Sequence, residues 1–252
     1  MPALSALALS ISMAAAAGVV GCFAVMRRMT LASDAISHVA LPGIAIAIAL
    51  HVHPLVGGLT ALVLGTVLIW GLEHRMRMAT ETVIGVVFSA ALAVGSMLAS
   101  GEDLIDALLG TAGTLSSLET ALGVVGALAV VAFVLAQRHR LVVALVSADI
   151  ARTAGIDVAR LDLAFLLAFA LTVGLGLRYL GVLLMGSLII IPAATAKHVA
   201  RSLTGMLLVA VAVSVTSTVV GELVASRLHR PTGPVIIVVA AACFFASLAK
   251  PR

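Results

Sequence analysis

Asp34 and His38 stand four residues apart, a spacing that puts a carboxylate and an imidazole on one face of a helix. Oxygen and imidazole donors together suit zinc, manganese or ferrous iron. Two ligands make only a half-site, from which an ion can be passed on, whereas a closed set of four would retain it. The same pair also fits a plainer description, in which Ser33 or Asp34 caps the helix start and His38 makes a structural hydrogen bond. Spacing alone does not choose between the two. The setting sharpens the question, because the pair opens a long apolar run and charges at membrane depth are costly unless paired, hydrated or coordinating.

Other polar residues invite weaker readings. His51 and His53 flank the far end of the same run and are expected to sit idle in a polar loop. Glu222 lies late in an apolar run, close enough to Arg227 and Arg230 that pairing with a basic residue is favoured over ion binding. Glu81, next to Thr80, opens another run as a favourable charge at a helix N-terminus. Met97, Met185 and Met206 are read as packing residues. The chain lacks a glycine-rich loop ending in Gly-Lys-Ser/Thr, so it carries no phosphate-cradling ATPase loop. It also lacks the His-Glu-x-x-His helix of metalloproteases and the Gly-x-Ser-x-Gly elbow of serine hydrolases. An enzyme is not indicated, and any energy for work must come from a partner.

The elements that would position Asp34 and His38 follow from composition. Of 252 residues, 62% are hydrophobic and 10% charged, against about a quarter charged in ordinary soluble domains. The apolar runs are apolar on every face, which excludes the alternation of a membrane barrel and predicts an all-α polytopic membrane bundle of about 8–9 transmembrane helices. About nine candidate spans fall near 4–26, 34–52, 54–72, 81–100, 118–136, 161–180, 182–196, 204–225 and 234–249. His53-Pro54 barely separates the second span from the third, and Tyr179 to Gly181 the sixth from the seventh, so short, broken or re-entrant segments are expected there. Cys22 and Cys243 lie inside apolar runs and suggest packing, with neither a disulfide framework nor a zinc knuckle. The first run leads straight into Arg27-Arg28 with no basic residues before it, which reads as a retained span and not a cleaved signal peptide.

Basic clusters follow every second span: Arg27-Arg28, His74 to Arg77, Arg138 to Arg140, Lys197 to Arg201 and Lys250 to Arg252. The positive-inside rule then places the C-terminus inside, the N-terminus outside and the acidic loop of Glu102, Asp103 and Asp106 outside, with Arg227 and Arg230 as exceptions. These clusters have no aromatic partners, so nucleic acid is not a partner and membrane lipid is the surrounding medium. The longest polar break, about Gln137 to Asp162, holds Ser147 to Gly155. Ser147 or Asp149 can cap a short helix there, and Gly155 can end it in the left-handed conformation. From pattern alone, this helix is equally an ordinary surface helix or a docking element.

Asp34-Ala-Ile-Ser-His38-Val-Ala-Leu-Pro-Gly43 resembles the signature of the zinc/manganese/iron permeases of ABC importers. Further blocks agree in order: Gly21 to Met29, Glu81 to Gly85, Ala107 to Gly110, Gly181 to Ala196 with its Pro192-Ala-Ala-Thr-Ala196, and Pro231 to Pro234. The resemblance covers the chain as a single permease domain, 1–252, with a cytoplasmic coupling segment near 141–160. It implies a type II importer permease in the bacterial plasma (inner) membrane that works as a homodimer with two cytoplasmic ABC ATPases and an extracytoplasmic metal-binding solute-binding protein. It implies that Asp34 and His38 belong to the ion path, that the metal is cargo with no cofactor permanently bound, and that Asp149, Ala151 and Gly155 belong to the helix that docks on the ATPase. The wording of the signature leans toward manganese or iron members. Val39, where Ala is usual, and Thr111-Ala112-Gly113, where an Asn or Asp tends to follow, depart from the pattern. The rival functions are an ion-coupled secondary transporter, for which no internal repeat is visible, and a scaffold without a transport path.

Overall fold

The structure is a computed structural model that describes residues 2–29, 32–76, 80–98, 116–180 and 182–249. They form ten helices: α1 (Pro2–Met26), α2 (Ala32–Ala49), α3 (Pro54–Met76), α4 (Thr80–Leu98), α5 (Ser117–Val146), α6 (Ala148–Thr153), α7 (Val158–Leu180), α8 (Val182–Val199), α9 (Leu203–Leu228) and α10 (Thr232–Leu248). Nine of them have 17 residues or more, one for each candidate span. Helices suit lipid because each satisfies its backbone polar groups within its own segment. Among the described residues, six helices are long and apolar enough to cross a membrane, and three shorter apolar helices accompany them.

The fifth span corrects the sequence reading. The polar stretch from Gln137 does not end the helix, and α5 continues to Val146 over 30 residues. At about 1.5 Å per residue it is about 45 Å long, well beyond the bilayer's hydrocarbon thickness. Gln137, Arg138 and Arg140 favour helix and contain no breaker, so the helix runs on out of the apolar layer. At its other end, Ser116 and Glu119 form a reciprocal cap: Glu119 N–H donates to Ser116 Oγ (3.2 Å) and Ser116 N–H to Glu119 Oε2 (2.9 Å). The expected break at His53-Pro54 is a tight turn between two continuous helices, with His51 in the left-handed region (φ 55°). Pro42 and Pro192 sit inside α2 and α8 without ending them.

α1 is the central pillar, packed on α5, α8, α9 and α7. Small residues set its closest approaches. A Cβ on Gly18 would stand 3.0 Å from the Ala210 carbonyl of α9, and one on Gly21 would run into the Ile189 carbonyl of α8. Ser214 Oγ–H of α9 donates to the Ala14 carbonyl (2.7 Å), and Cys22 Sγ lies 3.6 Å from the Met206 carbonyl. Both cysteines are free, as their placement in apolar runs suggests. Met185 and Met206 pack in the interior, whereas Met97 is 85% exposed on α4. The second unit of the bundle is the α2–α3 hairpin, flanked by α4 and leaning on α7 and α8.

Candidate functional site

Ser33 and Asp34 are helical residues of α2, whose described part begins at Ala32, so neither is a flanking cap. His38 follows Asp34 one turn further along. The Asp34 side chain lies outside the described residues. His38 is half-buried, and its ring meets Phe88 of α4 at 5.4 Å between centroids and an interplanar angle of 60°. Ser37 beside it is fully buried, as are Ile36 and Ala40. The imidazole on α2 is therefore flanked by α4, among mostly apolar neighbours. Val39, the departure from the family wording, packs where Gly65 of α3 has no side chain. Phe88, the aromatic wall against His38, was not legible as a site residue, since one Phe in an apolar run carries no signal of its own.

Two expectations for the remaining polar residues are corrected: His53 is not idle, and Glu222 does not pair with a nearby arginine among the described residues. His53 Nδ1 accepts from Leu55 N–H (3.3 Å) at the start of α3, and its Nε2 lies 4.0 Å from Glu119. Glu222 makes no ion pair within 4.0 Å among the described residues. Arg227 lies five residues on, about 140° around the helix, and Arg230 lies beyond the helix end, so neither shares its face. Glu81 lies in the first turn of α4. Among the described residues no three His, Cys, Asp or Glu side chains gather into a metal-holding cluster. The segments 99–115 and 250–252, with Glu102, Asp103, Asp106, Ala107 to Gly110, Thr111 to Gly113 and the last basic cluster, lie outside the described residues.

α6 forms as its sequence suggests. Ser147 is the N-cap, its Oγ accepting from Ile150 N–H (3.3 Å). At the other end Gly155 takes φ 76°, with Gly155 N–H bonded to the Arg152 carbonyl (3.0 Å) and Ile156 N–H to the Ala151 carbonyl (2.9 Å). This paired closure of a helix end requires the left-handed residue that glycine supplies. Ala151 is fully buried, while Asp149 is exposed and bonded to Arg152 at 3.0 Å. Exposed pairs of this kind contribute little stability, so the buried Ala151 and, just past the helix end, the partly buried Ile156 are what anchor this segment beside α5 and α7.

At this same end α1, α3 and α7 converge. Arg27 pairs with Asp162 at 2.8 Å, and its guanidinium carbon stands 4.6 Å from the centre of the Phe165 ring. Trp70 Nε1–H donates to the Ala159 carbonyl (3.0 Å). A cavity of about 330 Å³ opens beside them. Arg27 was legible only as an orientation signal, because its partner lies 135 residues away and no local pattern announces it.

Comparisons with known proteins agree with this arrangement. The chain is 32% identical over 238 residues to the chelated iron transport system membrane protein YfeD of Yersinia pestis, covering 91% of this chain and 79% of that one. It is 28% identical over 236 residues to the high-affinity zinc uptake system membrane protein ZnuB of Haemophilus influenzae, covering 91% and 90%. Its fold superposes on a chain of PsaBC from Streptococcus pneumoniae in complex with Fab with a TM-score of 0.83 and 26% identity, over 97% of this chain and 90% of that one. The model of the ABC 3 transport family matches residues 3–251, nearly the whole sequence, and the chain belongs to that family.

Proposed function

We propose that Asp34 and His38 handle a divalent transition metal ion as it crosses the membrane through this chain, the permease subunit of an ATP-binding-cassette importer. Relatives carry the names of zinc, chelated iron and manganese systems, and these three metals share the ligand types that a carboxylate and an imidazole supply. The ion is cargo, and no cofactor is permanently bound. Choice among the metals falls to the delivering protein and to availability, because a transient two-donor site discriminates weakly. The observation that carries this reading is the place of the pair. It lies within α2 and not at its cap, with His38 half-buried against Phe88 in an apolar setting.

The working unit is two copies of the chain, two cytoplasmic ATPases and an extracytoplasmic metal-binding protein that brings the ion to the outer mouth. The basic end of the bundle, where α1, α3 and α7 meet, faces the cytoplasm. The segment 141–160 couples the permease to the ATPase, with Asp149 exposed for contact, Ala151 buried as the anchor and Gly155 closing the helix. ATP is hydrolysed by the separate subunit, which sets this chain apart from a secondary transporter driven by an ion gradient.

The test is radiometal uptake by vesicles that hold the whole complex, comparing the parent with Asp34→Ala and His38→Ala. Loss of a ligand is expected to lower uptake by about tenfold or more. Parental uptake by variants that assemble normally removes the role assigned to the pair, and transport by vesicles without the ATPase favours an ion-coupled mechanism.

A further inference from the structure

We infer that Arg27 is the positioning residue through which movement of α6 reaches the stretch of α2 that carries Asp34 and His38. The inference rests on the reading of α6 as the docking helix and of those two residues as the ion path. α6 packs chiefly on α5 and α7. Its link to α7 is short and stiff: after Gly155 and Ile156, Asp157 caps α7 by accepting from Arg160 N–H at 3.1 Å. A displacement of α6 therefore moves the first turns of α7.

Those turns are tied to two other helices by directional contacts. Trp70 of α3 holds the Ala159 carbonyl, and Arg27, just past the end of α1, holds Asp162. Each tie leads toward α2. α3 is the hairpin partner of α2, and Arg27 precedes the first described residue of α2, Ala32, by only five positions. Arg27 holds two residues of one α7 face at once, a guanidinium nitrogen 2.8 Å from Asp162 and its central carbon 4.6 Å from the centre of the Phe165 ring. A delocalised guanidinium suits an acid and an aromatic ring together better than the compact ammonium of lysine does. The pair is largely sheltered, at 13% and 24% exposure, so salt screens it less than it would a surface pair.

A cleft of about 330 Å³ lies beside the pair, lined by Arg27 and Asp162 themselves together with Met26, Glu73, Ala148 and Leu166. The pair thus forms part of the cleft wall where the end of α1 meets α7, next to Ala148 at the start of α6.

The test uses the complete complex in proteoliposomes, with radioactive manganese(II) and zinc(II) as probes and ATP hydrolysis measured in the same vesicles. In Arg27→Ala and Asp162→Ala, hydrolysis is expected to stay within about twofold of the parent while ions moved per ATP fall about fivefold or more, the lower range of coupling between distant sites. Arg27→Lys should recover part of the ratio, and the reversed pair Arg27→Asp with Asp162→Arg should recover more than either single reversal. An unchanged ratio in Arg27→Ala overturns the inference, as does a parallel fall of hydrolysis and uptake. Should Arg27→Ala fail to assemble, the reversed pair decides, and failure of that pair as well reduces Arg27 to a clamp on the fold. Parental complex that imports neither probe sinks the functional reading itself, which separates that failure from this one.

Discussion

Gly43 of α2 and Gly57 of α3 face each other across the hairpin, and each stands where a Cβ would collide with the other's carbonyl. The contact is reciprocal, and Ala61 and Ala47 complete it on either side. Without a hydrophobic drive between helices in lipid, such close backbone approach is what holds two spans together. It fixes the angle at which α2 presents Asp34 and His38.

Gly57→Val is therefore expected to force the two helices apart, at a cost of about 1–3 kcal/mol for overpacking a tight contact. Gly71→Val on the same helix meets nothing within 4 Å and serves as the control. Thermal denaturation of the purified chain in detergent, read beside uptake, checks the difference. Equal stability of the two variants would show that the crossing is not where the hairpin is held.

Gly155 poses the opposite problem. A Cβ there meets no neighbour within 4 Å, yet φ is 76°. The cost of a side chain is thus conformational, about 1 kcal/mol for most residues and less for Asn, whose short polar chain tolerates the left-handed region. Gly155→Val should loosen the end of α6 and reduce recovery of the ATPase with the permease, and Gly155→Asn should leave it near the parent. Quantified co-purification from the same membranes checks this. Identical recovery for both variants would mean that the shape of the α6 end does not govern docking.

How much of this was legible beforehand divides along sequence distance. Each long helix was readable from its apolar run, and the cap and closure of α6 from Ser147 and Gly155, because those signals are local. The Asp34/His38 spacing was equally local. The alternative in which Ser33 or Asp34 caps the helix does not fit, since both residues and Ala32 before them are helical. The extension of α5 was missed because Gln137 to Arg140 look like a loop by polarity and like a helix by propensity, and propensity prevailed once the chain left the lipid. The Arg27–Asp162 pair, the Trp70–Ala159 bond and the Phe88 wall were illegible for one reason: each joins residues brought together only by the packing of whole helices.

Phe88 offers a test of the site that leaves both proposed ligands in place. Its ring restricts the imidazole of His38 from the α4 side. Removing it with Phe88→Ala should let His38 sample other rotamers, so that the metal concentration for half-maximal uptake rises about threefold to tenfold, as when a ligand's supporting contacts are lost. Val86→Ala, on the same helix but 60% exposed, should change nothing. Concentration dependence of uptake in vesicles distinguishes them. A drop in maximal rate alone, with no change in half-saturation, would point to assembly and not to the imidazole.

Ser214 separates hydrogen bonding from packing at the pillar of the bundle. Its hydroxyl donates to the Ala14 carbonyl at 2.7 Å and is fully buried between α9 and α1. In membranes such interhelical bonds contribute only about 0.6 kcal/mol on average, because the helix without its partner finds others. The backbone approach beside it is tighter, with Gly18 at 3.0 Å from the Ala210 carbonyl on the allowance for a Cβ. Ser214→Ala is accordingly expected to be close to neutral, while Ser214→Leu should destabilise by about 1–3 kcal/mol through overpacking. Thermal denaturation in detergent orders the two variants. If the alanine variant proved the more damaging, the hydroxyl would have to be satisfying a requirement that packing alone does not explain, and α1 would be held by polar contacts more than by small residues.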